Sequence, residues 1–342
     1  MVRVLRATQF ELDAAVQALR DGELVAFPTE TVYGLGAHAG HPAALRRVFE
    51  LKGRPTTHPL IVHLDSVRFL TRWARDVPPA AEKLAASFWP GPLTLVLPRA
   101  YNVHALVTGG QETVAVRIPS HPMAQQLLTA FGGGIAAPSA NRYGRVSPTR
   151  AEHVREEFGA AVRVILDGGE CRLGLESTIV ACLDGTVRLL RPGSISLSDL
   201  RRVAGEVLTR PSATAPRVPG GHGAHYAPVT PLAISSSEEI EQLAEQASAR
   251  GHRVAVLAQR PPLRAHQFVT WINGGARPDA YGHDLYAHLR ALDKSGCVRI
   301  LVQSVPADER WDAIRDRLTR AAAASLDMSD ADDDSLAVGV LP

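Results

Sequence analysis

Apolar residues in the first two-thirds of the chain form short runs of strand length and longer segments with helical spacing. We predict strands at Leu24–Phe27, Leu60–Leu64, Leu93–Leu97, Val114–Ile118, Val162–Leu166, Ser177–Leu183 and Thr186–Leu190. Helices are predicted from Thr8, with capping-box spacing to Glu11, as far as Arg20, from Pro42 onward, and at Pro79–Phe88, Pro122–Phe131, Thr149–Phe158 and Ser198–Val207. Because strands and helices do not alternate strictly, the pattern favours an α/β fold with a mixed, twisted sheet.

A stretch rich in proline and glycine, residues 209–231, interrupts this pattern and predicts a linker without regular structure. The alternation of strands and helices after it predicts a smaller Rossmann-like α/β domain with a parallel sheet. Its predicted elements are Leu232–Ser235, Glu238–Ala249, Arg253–Ala258, Phe268–Trp271, Ala280–Leu292, Val298–Val302 and Asp308–Ala324. The predicted domains are therefore residues 1–208 and 232–326, followed by an acidic tail at 327–342.

Composition places the chain among ordinary globular proteins. Of its 342 residues, 45% are hydrophobic and 21% are charged, and the formal net charge of +2 is far from that of a dedicated nucleic-acid binder. The cysteines Cys171, Cys182 and Cys297 lack the spacing of a metal site, so we expect no metal held by protein ligands alone. No stretch reaches the roughly 18 apolar residues of a membrane span. The first residues also lack the apolar core of a signal peptide. We therefore expect a cytoplasmic protein that binds no membrane.

The densest chemical signal lies between Pro28 and Arg54. A predicted strand runs into Pro28-Thr29-Glu30-Thr31 and Gly34-Leu35-Gly36, where hydroxyl groups and glycines leave the backbone open to a ligand. Lys52-Gly53-Arg54 then places two cations around the glycine at which a helix should end. Because open α/β sheets bind ligands at the carboxyl ends of their strands, we predict a site for an anionic, phosphorylated ligand. An ordinary turn and a solvated helix end would explain either segment taken alone.

The common nucleotide and nucleophile motifs are missing from the sequence. There is no G-x-x-x-x-G-K-[ST] segment and no G-x-S-x-G elbow, and the glycines at 34, 36 and 40 miss the dinucleotide-binding spacing by one residue. A bound nucleotide would therefore be held in neither of the standard glycine-rich cradles.

Six further segments extend the signal: Ser87–Leu97, Thr113–Pro119, Ala136–Asn141, Gly174–Val180, Leu190–Ser194 and His225–Pro228. In order and spacing, these segments and Pro28–Arg54 resemble the Sua5/YrdC/YciO family, and within it the longer Sua5 form. The resemblance is dense from about Leu24 to Ser194, resumes at His225 and is general beyond Pro228. It implies a YrdC-like catalytic domain at 1–208 and a Sua5-type domain at 232–326.

The resemblance also implies an activity. Sua5-type members are L-threonylcarbamoyladenylate synthases, nucleotidyltransferases that convert L-threonine, bicarbonate and ATP into threonylcarbamoyl-AMP and pyrophosphate. The threonine amine captures CO2 as a carbamate, whose oxygen attacks the α-phosphate, so the protein aligns reactants and neutralises charge. Mg2+ would accompany the ATP phosphates. The product would pass to a downstream tRNA-modifying transferase complex for threonylcarbamoyladenosine (t6A) modification, and weak RNA binding is a further expectation.

Site residues follow from the same resemblance, position by position. Lys52, Arg54 and Arg117 are expected to act in catalysis. The residues expected to bind L-threonine are Thr31, His63, Arg117, Ala137 and Ser177. The residues expected to bind ATP are Arg54, His58, Thr113, Ser139, Ser147, Arg191 and Tyr226. Without the resemblance, Arg117 would be read as half of an internal salt bridge and His63 as a satisfied core histidine.

The linker departs from the family pattern. It carries Gly220-Gly221-His222-Gly223-Ala224 where members usually have a bulkier or more basic run, so ligand contacts of residues 220–224 cannot be transferred. Tyr226 matches a residue that folds over the nucleotide, which predicts a lid. Two alternative functions stay open at this point: a carbamoyl-transfer enzyme, and a non-catalytic double-stranded RNA-binding module, which the weak net charge disfavours.

Overall fold

The computed structural model describes residues 8–210, 212, 215–221 and 223–329, and a large mixed sheet organises the first half of this chain. Its strands are β1 (Val25–Phe27), β2 (Gly34–His38), β3 (Ile61–His63), β4 (Leu93–Pro98), β5 (Thr113–Arg117), β6 (Ile135–Ala136), β7 (Val164–Ile165), β8 (Thr178–Leu183) and β9 (Thr186–Arg191). Their order is β7-β1-β2-β6-β3-β5-β4-β8-β9. The pairs β1–β7, β3–β5 and β4–β8 are parallel and the other neighbours antiparallel, which confirms the predicted mixed sheet.

Helices pack on both faces of this sheet. They are α1 (Gln9–Arg20), α2 (Pro42–Lys52), α3 (Pro79–Phe88), α4 (Ala105–Thr108), α5 (Pro122–Phe131), α6 (Ala151–Phe158) and α7 (Leu197–Ala204). Leu19 of α1 and Leu127 of α5 pack with Phe27 on one face. On the other face, Leu45 of α2 and Leu84 of α3 lie in the larger core. Each helix buries one apolar stripe, which is why spacing along the sequence located most of them.

The second sheet is entirely parallel. Its strands are β10 (Leu232–Ser235), β11 (Val254–Ala258), β12 (Val269–Asn273) and β13 (Arg299–Gln303), in the order β10-β13-β11-β12. Its helices are α8 (Glu239–Ala249), α9 (Pro278–Asp293) and α10 (Asp312–Ser329). The predicted parallel sheet is confirmed. Because α10 continues to Ser329, it includes the first residues of the predicted acidic tail, and residues 330–342 lie outside the described part of the chain.

The two halves share an apolar cluster. Val32 and Leu175 of the first half pack with Tyr286 and Ile314 of the second. Gly174, at φ 75°, lies so near the second half that an added Cβ would be 2.2 Å from the carbonyl oxygen of His283. This close approach of two backbones requires glycine at position 174.

The main difference from the sequence-based prediction is β2. Gly34-Leu35-Gly36, where we expected glycines to leave the backbone open to a ligand, forms a strand antiparallel to β1. A Cβ added at Gly36 would lie 2.8 Å from Cγ2 of Ile135 and 2.9 Å from Cε1 of Phe27. Glycine at position 36 therefore permits close packing within the sheet.

Smaller differences concern element ends. The strand predicted at Val162–Leu166 is limited to β7, the helix predicted at Thr149–Phe158 begins at Ala151, and β6 and α4 were not predicted. The capping box from Thr8 to Glu11 is confirmed. So is the helix end at Gly53, which caps α2 with a left-handed conformation at φ 63°.

The described part of the linker lies against the first sheet. Residues 212, 215–221 and 223–231 contain no helix or strand, and Ala227 forms one isolated bridge with Arg145. Val218 packs with Ile61 and Ala115, on the part of the sheet face that α1 and α5 do not cover. These described residues of the linker are thus part of the packed structure. No helix in the described residues has the length and apolar character needed to cross a membrane.

Candidate functional site

A narrow pocket lies beside the linker at the carboxyl ends of β3 and β5. Because these strands are parallel, their register places His63 beside Arg117. Segments that follow β1 and β6 or precede β8 contribute Thr31, Ser139 and Ser177. The open volume is about 50 Å³, which is room for a few water molecules. A nucleotide is larger than this space, so the residues around the pocket would have to shift to admit one.

The structure brings most of the predicted site residues together. Nine of them line the pocket: Thr31, Arg54, His63, Arg117, Ala137, Ser139, Ser177, Arg191 and Tyr226. Four do not line it: Lys52, His58, Thr113 and Ser147. His58 lies against the ring of Tyr143, with ring centroids 5.3 Å apart. Thr113 lies at the far end of β5 from Arg117.

Arg117 is held by three contacts in the pocket wall. Its Nη2 lies 2.8 Å from Oε1 of Glu30, in a geometry that makes the contact an ion pair rather than a directed hydrogen bond. Its Nη1 donates to Oγ1 of Thr31 at 2.8 Å, and its Nε donates to the carbonyl oxygen of Gly91 at 3.3 Å. The internal salt bridge that the sequence favoured is therefore present, at a residue that also lines the pocket.

His63 is a neutral imidazole inside this wall. Its Nδ1 lies 3.2 Å from the carbonyl oxygen of Ile61. Burial and then the positive charge of Arg117 lower the pKa of His63 to about 3. A neutral ring can either donate to or accept from a small hydroxyl-bearing ligand.

Arg54 and Arg191 add positive charge without a direct carboxylate partner. Nη2 of Arg54 donates to the carbonyl oxygen of Pro59 at 2.9 Å, while its buried Nε has no hydrogen-bond partner. Burial lowers the pKa of Arg54 to about 10, which leaves it charged at neutral pH. Arg191 donates to the carbonyl oxygens of Ser177 and Pro219, at 2.8 Å and 2.9 Å.

Lys52 lies behind the pocket rather than in it. It is 3% exposed, and its Nζ donates to the carbonyl oxygens of Ser139, at 2.7 Å, and Asn141. Burial and then the charge of Arg54 hold the pKa of Lys52 well below its ordinary value. The ammonium group therefore fastens the loop that presents Ser139.

Two carboxylates at the site, and the arginine that pairs with one of them, were not predicted from the sequence. Glu30 and Glu176 are buried beside the pocket, and Glu176 lines it. Both occur inside the motif segments, but nothing local shows that each has an arginine partner. Glu176 is paired with Arg317 of α10, 2.8 Å away and 141 residues later in the chain. Ser147, assigned to ATP from sequence, instead donates to Glu176 at 2.5 Å.

The linker closes the pocket with Tyr226 and its neighbours. Tyr226 is 1% exposed and has a left-handed backbone at φ 63°, which is uncommon for a residue with a side chain. Its ring stacks on that of Tyr286, with centroids 6.0 Å apart. Burial outweighs the field of Glu176 and lowers the pKa of the adjacent His225 to about 3.

One group in the described residues has metal-ligand geometry. Glu170, His283 and Asp284 bring ligand atoms within 4.8 Å of one another. None of the three lines the pocket, and Glu170 is engaged by Arg150 at 2.8 Å. This cluster is separate from the pocket chemistry.

Two family models match almost the whole described chain. The model described as "Telomere recombination" (Sua5, YciO and YrdC) matches residues 17–193. The model described as "Threonylcarbamoyl-AMP synthase, C-terminal domain" matches residues 195–323. The chain belongs to the Sua5/YrdC/YciO family. Because both models match in succession, it has the two-part Sua5 form that the sequence motifs predicted.

Proteins of similar length resemble this Sua5-type chain throughout. The Threonylcarbamoyl-AMP synthase of Pyrococcus abyssi (strain GE5 / Orsay) is 38% identical over 328 residues, which cover 93% of this chain and 95% of that protein. The enzyme of the same name from Bacillus subtilis (strain 168) is 39% identical over 321 residues, covering 91% and 93%. The crystal structure of P. abyssi Sua5 complexed with L-threonine superimposes with a TM-score of 0.87 and covers 94% of this chain and 96% of that one. The predicted fold is therefore confirmed.

Proposed function

We propose that this protein is an L-threonylcarbamoyladenylate synthase, which joins L-threonine, bicarbonate and ATP and releases pyrophosphate. The observation that carries the proposal is the charge of the pocket. Arg54, Arg117 and Arg191 line it together with a single carboxylate, Glu176, among several hydroxyl groups. This excess of fixed guanidinium groups suits a triphosphate and an amino-acid carboxylate. The full-length relatives that share the fold are named threonylcarbamoyl-AMP synthases.

Arg117 supports the threonine half of the proposal. A guanidinium has five N–H groups, and the three contacts with Glu30, Thr31 and Gly91 leave donors of the two terminal nitrogens for a substrate carboxylate. Neutral His63 and the hydroxyl group of Ser177 lie in the same pocket and can bond the threonine hydroxyl.

Arg54 and Arg191 support the nucleotide half. Among the described residues, neither has a carboxylate within hydrogen-bonding distance, and the buried Nε of Arg54 has no partner. An unpaired guanidinium donor in a buried wall is costly unless a ligand completes it. We assign the ATP phosphates to the part of the pocket lined by Arg54 and Arg191, with Ser139 and Tyr226 beside them.

The proposed chemistry needs no covalent intermediate on the protein. The threonine amine forms a carbamate with CO2 from bicarbonate, a carbamate oxygen attacks the α-phosphorus, and pyrophosphate leaves. The residues of this chain hold the two reactants together, stabilise the charge that shifts to pyrophosphate, and exclude water under the linker. The lining hydroxyl of Ser177 is already bonded to Thr94 at 2.7 Å, which is consistent with a binding role.

Mg2+ is proposed to enter with ATP. The lining carboxylate and the one beside the pocket are both engaged by arginines, Glu176 by Arg317 and Glu30 by Arg117. Neither is free to hold a divalent cation, so the described residues around the pocket do not fit a metal site made by the protein. The proposed substrate is therefore MgATP, in which the phosphates are the ligands of the cation.

Three wider assignments belong to the same proposal. The product would supply a tRNA-modifying transferase complex in the cytoplasm, and the chain would bind RNA weakly if at all. The division into 1–208, a linker at 209–231 and 232–326 is supported by the proline-rich stretch, although the two family matches meet earlier, between residues 193 and 195.

Pyrophosphate release tests the function directly. We expect release from MgATP only when L-threonine and bicarbonate are both present, with serine as a weaker substrate. Equal release with alanine, or with no amino acid, would contradict the proposal. A carbamoyl-transfer enzyme would instead need a carbamoyl donor. An RNA-binding module would shift double-stranded RNA in a gel, and the shift would persist in variants of Arg54 and Arg191.

A further inference from the structure

We propose that Arg317, in the second half of the chain, is a positioning residue for the nucleotide end of the pocket and acts through Glu176. The inference rests on the proposed function and extends it to a helix outside the catalytic half. Glu176 is the centre of a buried network. Its Oε1 accepts from Oγ of Ser147 at 2.5 Å, and its Oε2 accepts from Oη of Tyr286 and Nε of Arg317, each at 2.8 Å.

Arg317 touches both the pocket wall and the linker. Its side chain is 1% exposed, and its Cζ lies 5.1 Å from the centre of the Tyr226 ring. Nη1 pairs with Asp316 at 2.6 Å, whereas the buried Nη2 has no hydrogen-bond partner in the described part of the chain. A single guanidinium from α10 thus contacts a lining carboxylate and the aromatic residue that covers the pocket.

The positive charge of Arg317 offsets the negative charge that Glu176 brings to the pocket. Glu176 precedes Ser177, whose carbonyl oxygen accepts from Arg191. Burial raises the pKa of the Glu176 carboxyl, but Arg317 and then Arg191 outweigh burial and bring that pKa to about 2. Without Arg317, Arg191 is the other cation whose charge lowers the pKa of Glu176. An unpaired carboxylate would then compete with the phosphates for Arg191 and repel them.

Other ionisable groups around Glu176 do not replace Arg317. From α9, Tyr286 donates a hydrogen bond but carries no charge, because burial and the field of Glu176 hold its pKa well above the ordinary value. From the linker, His225 is neutral, since burial lowers its pKa to about 3. Tyr226 is also neutral, since burial raises its pKa. Asp316 lies behind Arg317 and adds negative charge.

Binding of MgATP, measured by calorimetry on the full-length protein without threonine, tests the inference. We expect Arg317→Met to weaken MgATP binding about tenfold or more, because it leaves a buried charge unpaired. The matched control is Arg315→Met on the same helix, which removes a partly exposed ion pair with Asp312. The double variant E176Q/R317M should recover most of the affinity, because the unpaired charge is gone.

The pH dependence separates positioning from simple support of the fold. In Arg317→Met, burial should raise the pKa of Glu176, so MgATP binding should strengthen as the pH falls and the carboxyl becomes neutral. The wild-type protein should show no such strengthening of MgATP binding as the pH falls. Glu176→Gln alone should bind MgATP at least as tightly as wild type, and it keeps the inference testable if Arg317→Met does not fold.

Two results would overturn the inference. One is Arg317→Met binding MgATP within about twofold of Arg315→Met. The other is a loss that is independent of pH and not restored in the double variant, which is the behaviour of a structural contact. If the wild-type protein bound no MgATP, the proposed function and this inference would both fail. A protein that binds MgATP but shows no threonine-dependent turnover would contradict the proposed function alone.

Discussion

The guanidinium of Arg117 lies 2.8 Å from the carboxylate of Glu30, and both side chains are at most 4% exposed. This ion pair forms part of the wall that also contains Thr31 and His63. The carboxylate orients the guanidinium and offsets one charge, while terminal N–H groups of Arg117 remain available to a ligand. A structural salt bridge and a binding residue are therefore compatible at the same position.

Arg117→Ala should abolish threonine binding and spare ATP. Removing one partner of a buried charge pair costs roughly 2–5 kcal/mol of binding free energy. We therefore expect threonine affinity to fall about a hundredfold or more, while MgATP affinity stays within a few-fold of wild type. Separate calorimetric titrations with each ligand measure this. Glu30→Gln, which keeps the guanidinium, is the control and should retain threonine. If Arg117→Ala weakened both ligands alike, Arg117 would be structural only.

Lys52 and Arg54 should differ in how they affect ATP. Lys52→Met removes a charged donor from the backbone of Ser139 and Asn141, so it should lower the free energy of unfolding by about 2 kcal/mol and weaken MgATP through the displaced loop. Arg54→Gln should weaken MgATP with little loss of stability. Chemical denaturation and MgATP titration measure the two effects. A fully stable Lys52→Met with poor MgATP binding would point to direct phosphate contact, as the family resemblance implied.

Gly220 should be essential for the closed linker. A Cβ at this position would lie 2.0 Å from Oη of Tyr226, and its φ of 72° disfavours any side chain. Gly220→Ala should therefore reduce turnover at least about tenfold and leave the fold intact. The control is Gly223→Ala, where the added methyl group meets nothing within 4 Å. Equal turnover in the two alanine variants would mean that this linker geometry is not needed.

Ligands should protect the linker from trypsin. Arg217 is the one lysine or arginine between residues 211 and 231, and it is exposed next to the buried Val218. Opening of the linker should allow cleavage between these two residues, and MgATP with threonine should slow it. Mass spectrometry of the products gives the rate, and Arg217→Gln should remove the cut. An identical rate with and without ligands would leave the linker as a static cover.

Acid should destabilise the protein before its carboxylates titrate. Burial is the main cause that lowers the pKa of His63 and His225 to about 3 and that of His153 to about 4, against 6.5 for an unperturbed histidine. The unfolded chain therefore binds more protons than the native protein below about pH 6.5. The contribution of these histidines to stability should be constant above that pH and fall as the pH drops towards 4, by up to about 1.4 kcal/mol per pH unit for each histidine.

The variant His153→Gln isolates one of these groups. Because His153 does not line the pocket, ligand binding should be unaffected in this variant. Urea denaturation between pH 7 and 4.5 should show a shallower loss of stability in this variant than in wild type. A free energy of unfolding that is flat over this range would contradict the lowered pKa values.

Sequence periodicity and motifs determined the elements and the family. The spacing of apolar residues located most helices and strands, because a residue's place on a helix or strand face depends on its local neighbours. The order and spacing of the motif segments identified nine pocket residues. The two-residue β6 and the glycine-containing β2 were not predicted, because their strand conformation depends on neighbours such as Phe27 and Ile135 that lie on other strands.

Only the tertiary structure decided which charges meet. Arg117 and Glu30 are brought together by the sheet, Lys52 turns towards the backbone of a loop 87 residues later, and Arg317 reaches Glu176 across the two halves. The position of a charged residue in the sequence does not indicate its partner. The partner is the group that lies closest to it once the chain has folded. The division of the cations into pocket-lining and supporting residues is therefore a property of the folded chain.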